Sequence, residues 1–195
     1  MSGTFTAPQR LPYTGDDAAD RLLASDPLAL LIGFALDQQV GVQKAFSGPA
    51  ELKRRIGHLD AARIAAMDPD ELDSVFRQRP ALHRFPGAMA ARVQALCAFI
   101  MSEYGGKAAR VWTDAADGAD LRARLLALPS IGEMKATSLL AILAKRFALA
   151  LPGLEAVVPQ HPTLGDVDSA EALAEYQAKK RAHKAAMRAG GDLPG

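Results

Sequence analysis

The sequence predicts an all-α fold, and three observations carry that expectation. Apolar residues recur at helical spacing through most of the chain, as in Met89, Val93, Leu96, Ile100 and Tyr104. No stretch alternates apolar and polar residues long enough to build a sheet. Prolines, glycines and acidic residues fall where helices should start and stop. With 195 residues, 49% of them hydrophobic and 23% charged, the chain is globular and large enough to bury a substantial core.

The elements follow in order. Residues 1–15, rich in Thr, Pro and Gly, read as a flexible N-terminal arm whose one apolar spot is Leu11-Pro12-Tyr13. Asp16 and Asp17 open a first helix over 18–24, as acidic residues do at a helix start. Ser25 or Asp26 caps a second, with Pro27 at its first position. That helix, 28–36, is apolar on every side and belongs at the centre of the fold. Asp37, Gln38 and Gln39 then return the chain to the surface. Polar groups at the exit of a buried helix either face a cleft or simply cap and solvate the chain.

A short helix over 40–46 is closed by Ser47-Gly48-Pro49, and another over 50–56 is stopped by Gly57. Two more run over 61–67 and 69–76. The stretch from Arg77 to Arg84 is the most basic of the first half, a solvated loop or a contact with phosphates. Pro86-Gly87 introduces a long helix to Tyr104, ended by Gly105-Gly106. Cys97 lies on its apolar stripe, as a small buried hydrophobe rather than a nucleophile. Trp112, on a short connector, is a core anchor or an aromatic that stacks on a base. Asp117-Gly118 turns the chain into a helix over 119–127.

Residues 121–147 read as helix, tight hairpin, helix. Leu121, Leu125 and Leu128 mark the first apolar face, and Ala136, Leu139, Leu140, Leu143 and Phe147 the second. Pro129 ends the first helix, because the residue before a proline avoids the α region. Gly132 permits the turn and leaves no side chain in the way of a close partner. The amides that follow it lack internal acceptors and suit an anion such as a backbone phosphate. An ordinary αα-hairpin gives the same pattern, so both readings stand. Beyond it, Pro152, Pro159 and Pro162 mark an irregular loop over 151–168. A final helix over 169–189, capped from Asp166 to Ser169, starts acidic at Glu171 and Glu175. It ends basic at Lys179, Lys180, Arg181, Lys184 and Arg188, matching its own dipole. Residues 190–195 read as a disordered tail.

Composition excludes several classes. One cysteine permits neither a disulfide framework nor a four-cysteine iron–sulfur cluster. Four histidines without ligand spacing do not argue for a metal. The start of the chain lacks a basic segment followed by an apolar run, and the apolar run 27–36 is too short for a bilayer, so the expected location is cytoplasmic. A net charge of +1 means that any surface for nucleic acid must be a local patch.

Leu128-Pro129-x-Ile131-Gly132, followed by Ala136 and an apolar helix, resembles the helix-hairpin-helix of the HhH-GPD superfamily of base-excision DNA glycosylases. The stretch Leu30-Leu31-Ile32-Gly33-Phe34-Ala35-Leu36-Asp37-Gln38-Gln39-Val40 is similar to an early core helix of that superfamily, which ends in a Gln-containing loop near the flipped base. The resemblance covers residues 27–154 and is closest to a bacterial subgroup. It implies a two-lobed helical DNA-glycosylase-like fold, with residues 16–150 as the HhH-GPD-like domain. The implied partner is double-stranded DNA, bound by a nucleoid-associated monomer through Pro129, Ser130, Ile131, Gly132 and Lys135. Gln38 or Gln39 would fill the gap left by an extruded base, and Met134 would line the base pocket unless it fills the core. No cofactor is implied beyond a monovalent cation on the hairpin carbonyls, and the iron–sulfur cluster of many relatives cannot be built here.

Superfamily members hold the oxocarbenium-like sugar with an Asp on the loop after the second hairpin helix. That position falls within 151–155, which contains no Asp. Glu155 is the nearest carboxylate and the catalytic candidate; Asp166 and Asp168 come too late unless the loop folds back. Bifunctional members carry a Schiff-base Lys where this chain has Met134. Lys135, its neighbour, is turned about 100° around the helix. The resemblance therefore implies a monofunctional DNA N-glycosylase without β-lyase activity. The alternative is a non-catalytic DNA-structure binder that kept the hairpin and lost the acid.

Overall fold

The computed structural model describes residues 5–189, without the side chains at 183, 184 and 187–189. The described residues form ten α-helices and two 3₁₀ turns, with no β-strand. None of these helices is long and apolar enough to cross a membrane.

Helix α2 (Pro27–Leu36) is the centre. The Asp26 carboxylate accepts from the amides of Leu28 and Ala29, with Pro27 in the first turn. Every residue from Leu28 to Leu36 is buried. Around it pack α1 (Asp17–Ser25), α3 (Val42–Ile56) and α6 (Pro86–Tyr104). Close approach of α3 depends on two glycines. A Cβ at Gly33 would stand 2.6 Å from the Phe46 ring, and one at Gly48 would run into the Leu36 methyl. The break read at Ser47-Gly48-Pro49 does not occur, for α3 is continuous across it. Pro49 removes a ladder bond, but Gly48, Pro49 and Leu52 are all buried, and that packing holds the helix together.

Helices α4 (Ala61–Ala66) and α5 (Pro69–Arg77) lie against α6, which buries Met89, Val93, Leu96, Cys97, Ile100 and Tyr104. Short α7 (Arg110–Thr113) seats Trp112 wholly inside the core, where it cannot stack on a base. The second group of helices is α8 (Gly118–Ala127), the hairpin and α9 (Glu133–Lys145), covered by 3₁₀ turns at Leu154–Ala156 and Leu164–Asp166. Helix α10 (Ala170–Ala189) follows.

Two segments depart from the sequence reading. The arm is not loose over residues 5–15. Leu11 and Tyr13 are fully buried, the Tyr13 hydroxyl donates to the Leu164 carbonyl at 2.8 Å, and the Thr6 amide donates to Phe147 at 2.7 Å. The arm is thus a strap tying the start of the chain to its far end; residues 1–4 lie outside the described residues. Nor is 151–168 irregular throughout, since its 3₁₀ turns bury Leu154 and Leu164. Asp166 caps Thr163 and pairs with Lys145 at 2.6 Å instead of starting α10, whose cap is Ser169. The 190–195 tail lies outside the described residues.

Candidate nucleic-acid interface

The hairpin differs from most helix starts in this protein. Asp16, Asp26, Asp60, Asp68 and Asp117 each cap a helix with a carboxylate. Helix α9 starts after Gly132 with no side-chain cap. Its first-turn amides therefore keep their partial positive charge without a capping acceptor. Gly132 is exposed, and a Cβ there would meet nothing within 4 Å. Glu133, which would repel a phosphate, is drawn aside by Arg122 at 2.6 Å. Ser130 adopts a left-handed φ of 68° and turns its carbonyl to the Lys135 ammonium, 3.1 Å away. Met134 is 77% exposed and fills no core. Ile131, by contrast, is buried, so it can offer a partner only its main chain. Pro129 is half-buried.

At the exit of α2 the three polar side chains have separate fates. The Gln38 amide oxygen accepts from Arg92 of α6, which ties it back. Gln39 is exposed on a left-handed backbone (φ 55°) and projects. Asp37 is half-buried, and among the described residues its carboxylate makes no hydrogen bond or ion pair. Beside them, the basic stretch from Arg77 to Arg84 is not simply a solvated loop. His83 is buried, with Nδ1 accepting from the Phe85 amide at 3.0 Å, so its Nε2–H donates to the Leu36 carbonyl at 3.1 Å. Burial pushes the imidazole below its ordinary range, so it stays neutral and braces this loop on the end of α2. The loop presents Phe85, 39% exposed, under the Arg84 guanidinium at 4.7 Å. No sequence pattern marked His83 as a brace.

These pieces share one electrostatic neighbourhood. Burial raises the Asp37 carboxyl above the usual range, against the pull of Lys180 and Lys135. Burial lowers the Lys135 ammonium, with Asp37 opposing and Arg92 assisting. Tyr176 of α10 also interacts with Asp37, while Gln177 and Gln43 bond to one another across to α3 at 2.7 Å. Lys135 at the start of α9 and Lys180 and Tyr176 on α10 thus lie within charge range of Asp37 at the end of α2. Lys44, Arg84, Arg92, Lys135 and Lys180 surround this exit, and among the described residues none of them forms an ion pair.

No protein-family model matches the chain, and a search of the curated proteins gives no match.

Glu155 is not brought to this neighbourhood. It is exposed on the 3₁₀ turn, in a surface hollow with Ala144, Leu149 and Leu151. Ala144 and Met134 are separated by about 15 Å along α9 at the usual helical rise. The turn is also pinned to the start of α8, where the Gly118 amide donates to the Pro152 carbonyl at 2.9 Å. A Cβ at Gly118 would stand 2.6 Å from the Gly153 oxygen, so this contact is close. Among the described residues no group of three or more His, Cys, Asp or Glu could hold a metal. Burial pushes the Cys97 thiol up to about 12, which leaves it inert. At the hairpin, one of the carbonyls, that of Ser130, already accepts Lys135.

Proposed function

We propose that this chain binds double-stranded DNA through the hairpin and acts in base excision as a monofunctional DNA N-glycosylase of the HhH-GPD type, on a two-lobed helical fold. The observation that carries the reading is the joining of two features in one place. Lys135, in the first turn of the uncapped α9, lies within charge range of Asp37 at the polar exit of α2. Backbone amides and unpaired cations would take phosphates without sequence preference. Gln39 and the Phe85–Arg84 pair supply a long amide and an aromatic face to a disrupted base step. Met134 stands where bifunctional relatives carry their lysine, which supports base release without strand cleavage.

One observation favours a second reading, a DNA-structure binder without chemistry. Glu155 stands at the far end of α9 from the hairpin. Titration of intact, nicked and abasic duplexes at low ionic strength, with a panel of lesion-bearing duplexes assayed for free base, separates the two. Salt-sensitive affinity with base release supports the glycosylase, and affinity without release from any lesion supports the binder. Failure to bind any duplex removes both.

A further inference from the structure

The carboxylates that are not fully exposed nearly all have work within the fold. Asp20 accepts from Tyr13 and Thr14, and Asp26 caps α2. Glu51 holds Arg54 and Arg55, and Asp73 holds Arg77. Asp117 caps α8, and Asp120 holds Arg124. Asp37 is the exception. Its oxygens are not fully buried, so they keep solvent as a partner and remain open to an incoming ligand. Its surroundings point the same way. Two elements bring ammonium groups near it, Lys135 on α9 and Lys180 on α10, yet neither comes within ion-pair distance. The carboxyl is therefore held beside the hairpin by the end of a buried helix, with its hydrogen-bonding capacity unspent. Gly33 and Gly48 let α2 pack closely on α3, which fixes the end of α2 that carries it.

We propose that Asp37, and not Glu155, is the carboxyl group that takes part in base release, a step that rests on the glycosylase reading above. In that step the bond between the sugar C1′ and the base nitrogen breaks, and its electron pair leaves with the base. The Asp37 carboxyl gives its proton to the departing base. Water then adds to C1′ and returns a proton to the Asp37 carboxylate, so the enzyme ends as it began. Burial, which favours the protonated form of Asp37, suits a group that must hold a proton until the base leaves. Lys135 and Lys180 face Asp37 from α9 and α10, Tyr176 adds its phenol, and Arg92 acts on Lys135 from α6.

The test uses the full chain, the best-cleaved duplex from the lesion panel, and the variants Asp37→Asn and Glu155→Gln. Asp37→Asn is nearly isosteric and removes the ionisable proton together with the negative charge. Single-turnover release should fall about 10²–10⁴-fold, with duplex affinity retained and the thermal midpoint no lower than the parent's. The wild-type rate should also fall with rising pH along a limb that the variant lacks. Release by Asp37→Asn at the wild-type rate overturns the proposal while leaving the glycosylase reading intact, as does loss of release in Glu155→Gln alone. Duplex binding without release by the wild-type chain overturns both this proposal and the glycosylase reading.

Discussion

Gly132→Ala is the perturbation that best separates a structural hairpin from one that grips a strand. The added methyl meets nothing within 4 Å, and Gly132 has φ −93° and ψ −177°, which alanine adopts freely. The cost to the fold is confined to the cap position, where alanine is poorer than glycine by up to about 1 kcal/mol. Spread over a chain of this size, that lowers the thermal midpoint by about 2–4 °C. On the outside the methyl stands beside the unpaired first amides of α9, where an approaching phosphate oxygen must sit. Hydrogen bonds to a charged acceptor contribute about 1.5–3 kcal/mol, so losing one weakens binding roughly 10–100-fold. Fluorescence anisotropy on a labelled duplex at low salt measures the affinity, and a thermal melt of the same preparation measures the fold. An unchanged melt with unchanged affinity refutes the argument that these amides touch nucleic acid. A collapse of the melt would instead refute the statement that the site has room.

Three further outcomes follow from particular contacts. Tyr13→Phe keeps the packing of the buried ring on Phe46 but leaves the Leu164 carbonyl with only the Val167 amide, so stability in a denaturant titration should drop by about 0.5–1.5 kcal/mol; no drop would mean the strap's hydroxyl contributes nothing. Ser130→Gly relieves a left-handed backbone at the expense of unfolded-state entropy, for a net gain of about 0.5–1 kcal/mol by the same titration, with the carbonyl still available to Lys135. Asp37→Asn should raise the thermal midpoint at neutral pH. The folded state raises the carboxyl above its ordinary value of 3.8, so ionisation disfavours folding, and this penalty grows as pH climbs from the unfolded value through the folded one. Below 3.8 the variant and the parent should converge, and a gain of equal size at both pH values would exclude ionisation as its cause.

Much of the helical layout was legible because local chemistry and tertiary packing agree. The all-apolar run of α2 can only be buried, and Asp26-Pro27 fixes its start as read. The glycines after Tyr104 end α6 where expected, with Gly105 left-handed. The strap was illegible for the opposite reason. Leu11 and Tyr13 are isolated apolar residues among turn formers, and their burial depends on Leu164 and Phe147, far away in sequence. Pro49 misled because the local rule against an interior proline is overridden by contacts with α2 that no window of sequence contains. At the candidate site the exit of α2 was visible as three polar residues, but nothing local ranks Asp37 above Gln38. That distinction comes from Arg92, which satisfies one and not the other.

The small net charge, an apparent objection to DNA binding, loses its force when the charges are followed to their partners. Arg21, Arg54, Arg77, Arg110 and Arg124 each lie three or four residues from an acid on, or just past, their own helix, where the two charges cancel at short range. Such pairs add little to stability and present little net field to a distant polyanion. Arg84, Arg92, Lys135 and Lys180 have no such partner among the described residues, and they gather at the end of α2 beside the uncapped start of α9. A duplex approaching within a Debye length would feel that local excess rather than the sum over the chain. Two acids stand within the excess: Glu133, which Arg122 holds, and Asp37, whose burial disfavours its charge. Burial thus weakens the one negative charge nearest these cations, in the direction that leaves the face more positive.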